Sequence, residues 1–558
     1  MITHSDNLTT SYQYDTYGNL DCITDTNHRA TKYQDYNDFC QPQKIVDSEA
    51  NETIITYNSA GLKTSVRDAL NNYTYFYYDK NYRLIEVKNA NAVSTYYTYD
   101  TSGNLTKFKD ALEKETHYAY DEFNRLHTET DPLDQVTTYT YSTGGCSSCG
   151  DLGALASKIT PKGVEIEYEY DNRGRMNKIL YPDDDYVTFT YDYNGNRLAM
   201  YDTRLDIGDG TFSWEYDDVN RVTKEIYPGD DYITWTYNTF GARSRMRLPD
   251  ASTQTYSYDS RQRLSTITHS LGNKTFTYNY NNDNSLESIV YPNETTNYFT
   301  YNSLNQLSQI MVDDDKGDHC CIVDYDYNVA GNRTKAEWNS DNQSTFQYAK
   351  YYAYDKLNQL TSERKMNQAE TSRLYEYQYE FDDAGNRTKM KYFDGSTTAT
   401  TNYHYNDANQ LYHSSRGSSD WYYTYDDNGN LTDEDTEGSY LRDFTWNDDN
   451  RLTYVDNIAD DNEVEYTYDA LGRRIMRNDV DTNTWTKYYY DGLTVIAEKK
   501  KGGEEGAGIW DRVMTVAPGV IGNIFSISTW NGSTYDDAYY HYDAIGNVIM
   551  TSDSSGSM

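Results

Sequence analysis

The sequence predicts an all-β protein: tandem β-hairpins of about 21 residues that pair edge to edge into one continuous antiparallel sheet. Three observations predict it. An aromatic marker returns at a nearly fixed period along the whole chain. Ahead of each marker, aromatic and polar residues alternate. Behind each marker, turn-forming residues hold fixed offsets.

The marker stands at Tyr14, Tyr36, Tyr57, Tyr78, Tyr99, Tyr120 and Tyr141, with one gap of 22 and then five of 21. It resumes at Tyr170, Tyr191, Tyr216, Tyr237, Tyr258, Tyr280, Tyr301 and Tyr327. It runs on through Tyr354, Phe381, Tyr405, Tyr425, Trp446, Tyr468 and Tyr490, and Tyr542 opens a last copy, which makes 23. Before the marker, runs such as Tyr73-Thr74-Tyr75 and Tyr139-Thr140-Tyr141 place aromatics on one face of a strand. The residue after it, Asp100 or Asp121, accepts a hydrogen bond from its own backbone two residues on and so starts a turn. Gly103, Gly195, Gly331, Gly429, Gly472 and Gly546 supply the left-handed conformation at the fourth place, and Asn124, Asn220 and Asn358 replace glycine there. Leu126, Met176 or Leu264 then opens the second strand, and clusters such as Tyr181-Pro182-Asp183-Asp184 turn the chain back. One hairpin is marginal in water, so neighbours must complete it.

A uniform repeat over 558 residues argues for one architecture rather than several domains. Tyr numbers 63 against 14 Phe, so the packed face is amphipathic and many hydroxyls need acceptors. Only 8 Pro interrupt the strands. A net charge of −39 repels nucleic acid and anionic membranes, which excludes both as principal partners. The acidity reads as solvated turns. Asp183-Asp184-Asp185 and Asp313-Asp314-Asp315 are weak calcium candidates, because neither has the spacing of a calcium loop.

Of six cysteines, Cys146 and Cys149 form a Cys-x-x-Cys pair: a local disulfide or free thiols, half of a metal site with His319, Cys320 and Cys321, or a redox pair. Cys22 and Cys40 lie in the first repeats, where adjacent strands can bring them together. The nine His are scattered, and no Ser/His/Asp spacing, phosphate loop or HExxH occurs, so no enzyme, catalytic residue, metal or cofactor is expected. The first residues lack the pattern of a signal peptide, and no stretch approaches a membrane span.

In order, residues 1–490 read as the repeat array, with an insertion at 142–169 whose stretch from Leu152 to Ala156 is expected to form a helical turn. From 311 to 400 the spacing loosens, so hairpins or loops lengthen. Residues 491–558 depart from the pattern, with an apolar strand expected over Asp491–Glu498 and a Lys/Gly/Glu loop after it.

The Tyr-Asp-x-x-Gly-Asn/Arg-Leu units resemble the tyrosine-aspartate (YD), or Rhs, repeats of bacterial Rhs polymorphic toxins, of Tc toxin shell components and of teneurins. The likeness covers roughly residues 10–550, and Tyr488 to Val548 resembles the lead-in to the Rhs-associated core. It implies a sheet wound in a spiral into a hollow shell that encloses a polypeptide effector in toxins and serves adhesion in teneurins. It also implies a secreted or cell-surface protein. The core's closing Asp-Pro-x-Gly motif is not found in these residues, so no protease residue is carried over, and neither a plug nor an effector domain is expected within them. Two functions compete: a non-enzymatic shell or scaffold for a toxin cargo, and a surface adhesion or filament protein that binds glycans. The expected partners are cargo or missing terminal segments, with end-to-end self-association through uncovered strand edges.

Overall fold

A computed structural model describes residues 2–3, 9–142, 153–340, 347–501, 508–518, 524–542 and 546–557. These residues form 49 strands in a single sheet, and no α-helix occurs among them. The sheet follows chain order from Ile2–Thr3 to Val548–Ser552, each strand pairing antiparallel with its neighbours in sequence. Each repeat is the expected hairpin. In one of them, Ser94–Tyr99 pairs with Leu105–Lys109 across the marker turn, and a second turn leads to Glu115–Tyr120.

Nearly every unit carries a β-bulge at its marker, the Tyr36 unit being one that keeps its register. Thr98 faces Lys107 but Tyr99 faces Leu105, which leaves Thr106 as the extra residue. The same shift recurs at Tyr120, Tyr191, Tyr425 and Tyr468. A bulge adds right-handed twist to its strand. Repeated at one place in hairpin after hairpin, that increment coils the sheet instead of letting it run flat.

The coil closes on itself. Contacts link residues from 244 to 299 positions apart, from Asn297 with His541 to Asp110 with Asn409. One winding therefore takes roughly a dozen hairpins, and the chain makes about two windings. Over the first part of the seam the rims of the windings meet turn to turn, as Asn27 with Asp283 and Ser48 with Ser303. Later the strands from Thr484 to Ser552 lie on the face of the strands from Thr211 to Asp313. Phe276 meets Phe525 and Tyr539 there, and Gln254 donates to the Met514 carbonyl at 2.7 Å. The hydrophobic core lies in that overlap, around Phe212, Ile233, Met246, Ile267, Phe276, Ile496 and Met514.

Three expectations need correction. Leu155–Ile159 is a strand, not part of a helical turn: Leu155 pairs with Tyr141 as the leucine after any other marker turn does. The loop before it is closed by Ser142 N–H to Ala154 O and Gly153 N–H to Ser142 O. Asp491 to Glu498 is not one strand, because Asp491 pairs with Thr494 around a two-residue loop in which Gly492 takes φ 63°. Cys22 and Cys40 do not meet. Both are free thiols, one buried in a strand and one exposed in a turn. The loosened spacing reflects longer strands, nine residues in His319–Tyr327 and Arg373–Phe381 against six in Ser94–Tyr99.

Candidate functional site

The marker turn is a small hydrogen-bonded machine. Asp121 Oδ1 accepts from the N–H of Phe123 at 2.8 Å and of Arg125 at 3.0 Å, while Oδ2 accepts from Arg125 Nε at 2.7 Å. In the Asp100 turn Asn104 donates from both its backbone and its side chain, each at 2.9 Å. This explains why Asn and Arg alternate at that place: both deliver an N–H to the second carboxylate oxygen. The Asn104 side chain, with the backbone bonds behind it, holds the Asp100 carboxyl below its ordinary range. The glycines take φ 99° at Gly103, 95° at Gly195, 85° at Gly429, 91° at Gly472 and 85° at Gly546.

The marker tyrosine ties hairpin to hairpin. Tyr99 donates to the Leu84 carbonyl at 2.9 Å and Tyr120 to Leu105 at 3.0 Å. Tyr191 reaches Met176 at 2.7 Å and Tyr425 reaches Leu411 at 2.8 Å. Tyr542 reaches Ile524 in the same way, and Trp446 uses its indole N–H on Leu431 at 2.6 Å. The last pair between the two strands at the Leu84 end is Tyr96 with Glu86, so the Leu84 carbonyl lies past the ladder and the phenol satisfies it. Tyr14, the first marker, is 62% exposed; Tyr468 is half-buried.

Sequence reasoning expected a second turn in each hairpin but missed its design. It repeats the first: Asp110 Oδ1 accepts from Leu112 and Lys114 N–H at 2.9 and 2.8 Å. The left-handed residue there is often not glycine, as with Ala50, Ala92 and Glu113 at φ 67°, 64° and 66°. The signal was present, since Asp47, Asp68, Asp110 and Asp131 recur with the same spacing to the next strand.

The seam is the second feature that sequence did not reveal. Among the described residues eight ion pairs cross it. In six the first winding supplies the cation: Arg29–Asp283, Lys114–Asp407, Lys162–Asp426, Arg204–Asp449, Arg243–Asp491 and Lys274–Asp537. Lys499–Asp231 and Arg473–Glu225 run the other way. Arg473, 6% exposed, bonds Glu225 at 2.8 Å and Asp469 at 2.7 Å. Burial alone would lower its pKa, but Tyr227, Glu225 and Asp469 reverse that, so the guanidinium stays charged. Tyr227 closes the same place by accepting the Tyr490 N–H at 3.0 Å. Further on, His541 is fully buried between Asn297 Oδ1 at 2.7 Å and Ser552 Oγ at 2.9 Å. Burial lowers its pKa to about 4, so it is neutral, with the proton on Nδ1 toward the amide oxygen.

Beside the seam the covered face opens into a cavity of about 740 Å³, floored by Trp214, Tyr216, Trp235 and Tyr237. A neighbouring cavity of about 670 Å³ shares Tyr237 and Arg243. The other predicted ligands do not converge. Among the described residues no three His, Cys, Asp or Glu side chains could hold a metal. Asp314 instead accepts turn N–H groups, and Asp313 faces His319 at 2.7 Å. Cys320 and Cys321 are buried free thiols, and burial raises both, Cys321 to about 12. Cys146 and Cys149 lie outside the described residues. No helix among the described residues is long and apolar enough to cross a membrane.

Known proteins share these features. The Teneurin YD-shell family model matches residues 201–348, and the RHS Repeat model matches 99–133. The tRNA3(Ser)-specific nuclease WapA of Bacillus spizizenii is 34% identical over 206 residues, which is 36% of this chain and 8% of that protein. The tRNA nuclease WapA of Bacillus subtilis is 30% identical over the same length and shares. Among solved structures, TcdB2-TccC3 matches with a TM-score of 0.70 at 14% identity, over 98% of this chain and 33% of that one. A Photorhabdus luminescens Tc holotoxin pore matches at 0.63 and 15%, over 98% and 29%. The chain thus spans a third or less of those solved chains and under a tenth of the WapA proteins. By its units and its matching family models the chain is similar to the YD/RHS-repeat proteins over the matched residues, and along nearly its whole length it has the fold seen in TcdB2-TccC3.

Proposed function

We propose that this chain is the wall of a β-shell that encloses a polypeptide cargo in a secreted or cell-surface, toxin-type protein. The observation that carries this reading is the sealed seam: one sheet wound about twice, its windings joined by ion pairs and then by a shared core. The face on which the C-terminal strands lie is read as the inner one. The residues described act structurally, the wall performs no reaction, and any toxic chemistry belongs to the cargo. The WapA proteins are named as tRNA nucleases, which makes a nuclease one candidate class of cargo. The test is protease protection. A reporter polypeptide encoded downstream of the chain, in the natural full-length context, should survive trypsin while the shell is folded and be degraded once urea unfolds it. Equal degradation in both states would sink the proposal.

Adhesion through glycans is favoured by one observation. Tyr73, Tyr75, Tyr77 and Tyr96 stand on the opposite face, each about 40% exposed. A glycan array probed with the chain and with Tyr75→Ala decides it: binding lost in the variant supports adhesion, and no binding by either excludes it.

A further inference from the structure

The floor of the cavity beside the seam is aromatic, from Trp214, Trp235, Tyr216 and Tyr237. Two leucines of the second winding, Leu471 and Leu493, line it from turns and remain 40% and 64% exposed. Large apolar side chains left in water at the mouth of an aromatic pocket are the marks of a site that takes an apolar group.

The polar groups are not all accounted for. Arg221, Arg243 and Arg473 line the cavity, and each holds a carboxylate of its own: Asp217, Asp491, and Glu225 with Asp469. Arg197 is different. It lies over the Phe189 and Trp214 rings at 4.9 and 5.7 Å, and among the described residues it has no ion-pair partner. Its buried Nε has no acceptor. Trp235 is 5% exposed, and its indole N–H has no acceptor either. Buried donors left unmet are costly, and charged ones more so. Arg197 Nε and the Trp235 indole N–H are covered and do not face the cavity, but the Arg197 guanidinium lines it without a carboxylate of its own, which defines what is missing: an anionic acceptor.

We propose that this cavity binds a polypeptide segment that presents an apolar side chain next to an aspartate or glutamate. The apolar side chain fills the aromatic floor under Leu493. The carboxylate pairs with the Arg197 guanidinium. A purely apolar ligand leaves Arg197 without a counter-ion. A nucleic acid strand meets the field of 88 carboxylates. The inference rests on the reading of this face as the one that encloses polypeptide, and it gives that enclosure a defined anchoring point.

The experiment titrates the full chain by calorimetry with acetyl-Leu-Phe-Asp-Leu-amide and with its counterpart carrying Asn for Asp. The acidic peptide should bind at least about tenfold more tightly, the ratio expected of a charge-assisted hydrogen bond. Arg197→Gln should bring the two peptides to equal affinity. Because that variant can disturb folding, Leu493→Asp provides an exposed substitution that should repel the acidic peptide about tenfold while leaving thermal unfolding unchanged. Equal affinity of the two peptides for the unaltered chain overturns the proposal, as does wild-type affinity in Leu493→Asp. Protease protection of the downstream polypeptide separates this failure from failure of the shell reading: protection without peptide binding removes only the cavity's role, and loss of both removes both.

Discussion

At the residue scale the repeat is a set of donors and acceptors placed at fixed offsets. Tyrosine is used rather than phenylalanine because its hydroxyl satisfies a carbonyl that the bulge leaves beyond the ladder. Tyr99→Phe should therefore cost about 1 kcal/mol, although the ring packs as before. The loss should appear as faster amide exchange in the hairpins on either side of Leu84, with the rest of the chain unchanged. The turn residues make a prediction of opposite signs. Gly103 sits at φ 99° with open space around it, so Gly103→Ala should lose about 1–2 kcal/mol from backbone strain alone. Tyr82 occupies the same place in its own turn at φ 66° and is 64% exposed, so Tyr82→Gly should gain a few tenths to about 1 kcal/mol. Local unfolding measured by hydrogen exchange checks both. This scale was largely legible in the sequence. Asp, Gly and the marker aromatic announce the turn, because each acts within a few residues of itself. The acceptor of the hydroxyl was not legible, because it lies 15 residues back and depends on the bulge.

At the element scale each hairpin has two turns of one design, joined by short strands that face both a partner and a neighbour. Register then decides which side chains share a face. Across four adjacent strands it lines up Asp433, Asp443, Asp456 and, last, Glu463, each directly opposite the next. Like charges so paired are destabilising. Partial burial, and then Asp433 and the neighbouring carboxylates, raise the Asp443 pKa. A raised carboxyl pKa means that protonation favours the folded state. Asp443→Asn should accordingly stabilise this part of the sheet by about 0.5–1 kcal/mol near neutral pH, with the gain fading toward pH 4. Exchange rates of the flanking amides at pH 7 and pH 4 measure it. Strands of this kind are readable from alternation, as in Tyr466-Thr467-Tyr468. The strand at Leu155–Ile159 was misread because a long loop breaks the period just before it, and the following apolar residues lose their frame. The loop at Gly492 was misread because an apolar run looks the same through a two-residue turn as along a strand.

At the scale of the whole molecule the seam governs behaviour. His541 is buried neutral between the windings, against Tyr291 and with hydrogen bonds to Asn297 and Ser552. Its folded pKa, about 4, lies below the ordinary 6.5. Protonation thus favours the open state: the stabilisation is complete above pH 6.5 and is lost as pH falls toward 4, by about 3 kcal/mol in all. The turn aspartates add a second phase at lower pH. Asp79 and Asp100 are held below 3.8, so their contribution is present above that value and disappears as they protonate. Thermal midpoints between pH 7 and pH 3 should show both phases, and His541→Gln should shrink the first only, its remainder coming from buried His269, which is lowered to about 3. None of the seam was legible in the sequence. Periodicity identifies neighbours one hairpin away, but which turns meet some 250 residues later depends on the summed twist of a dozen hairpins, to which no single residue points. The winding is therefore the claim to test most directly. A zero-length carbodiimide reagent joins lysine amines to carboxylates in contact, and mass spectrometry reads the pairs. The account predicts links of Lys114 to Asp407, Lys162 to Asp426, Lys274 to Asp537 and Lys499 to Asp231, alongside local links such as Lys107 to Glu115. A folded chain that gave only the local links would contradict it.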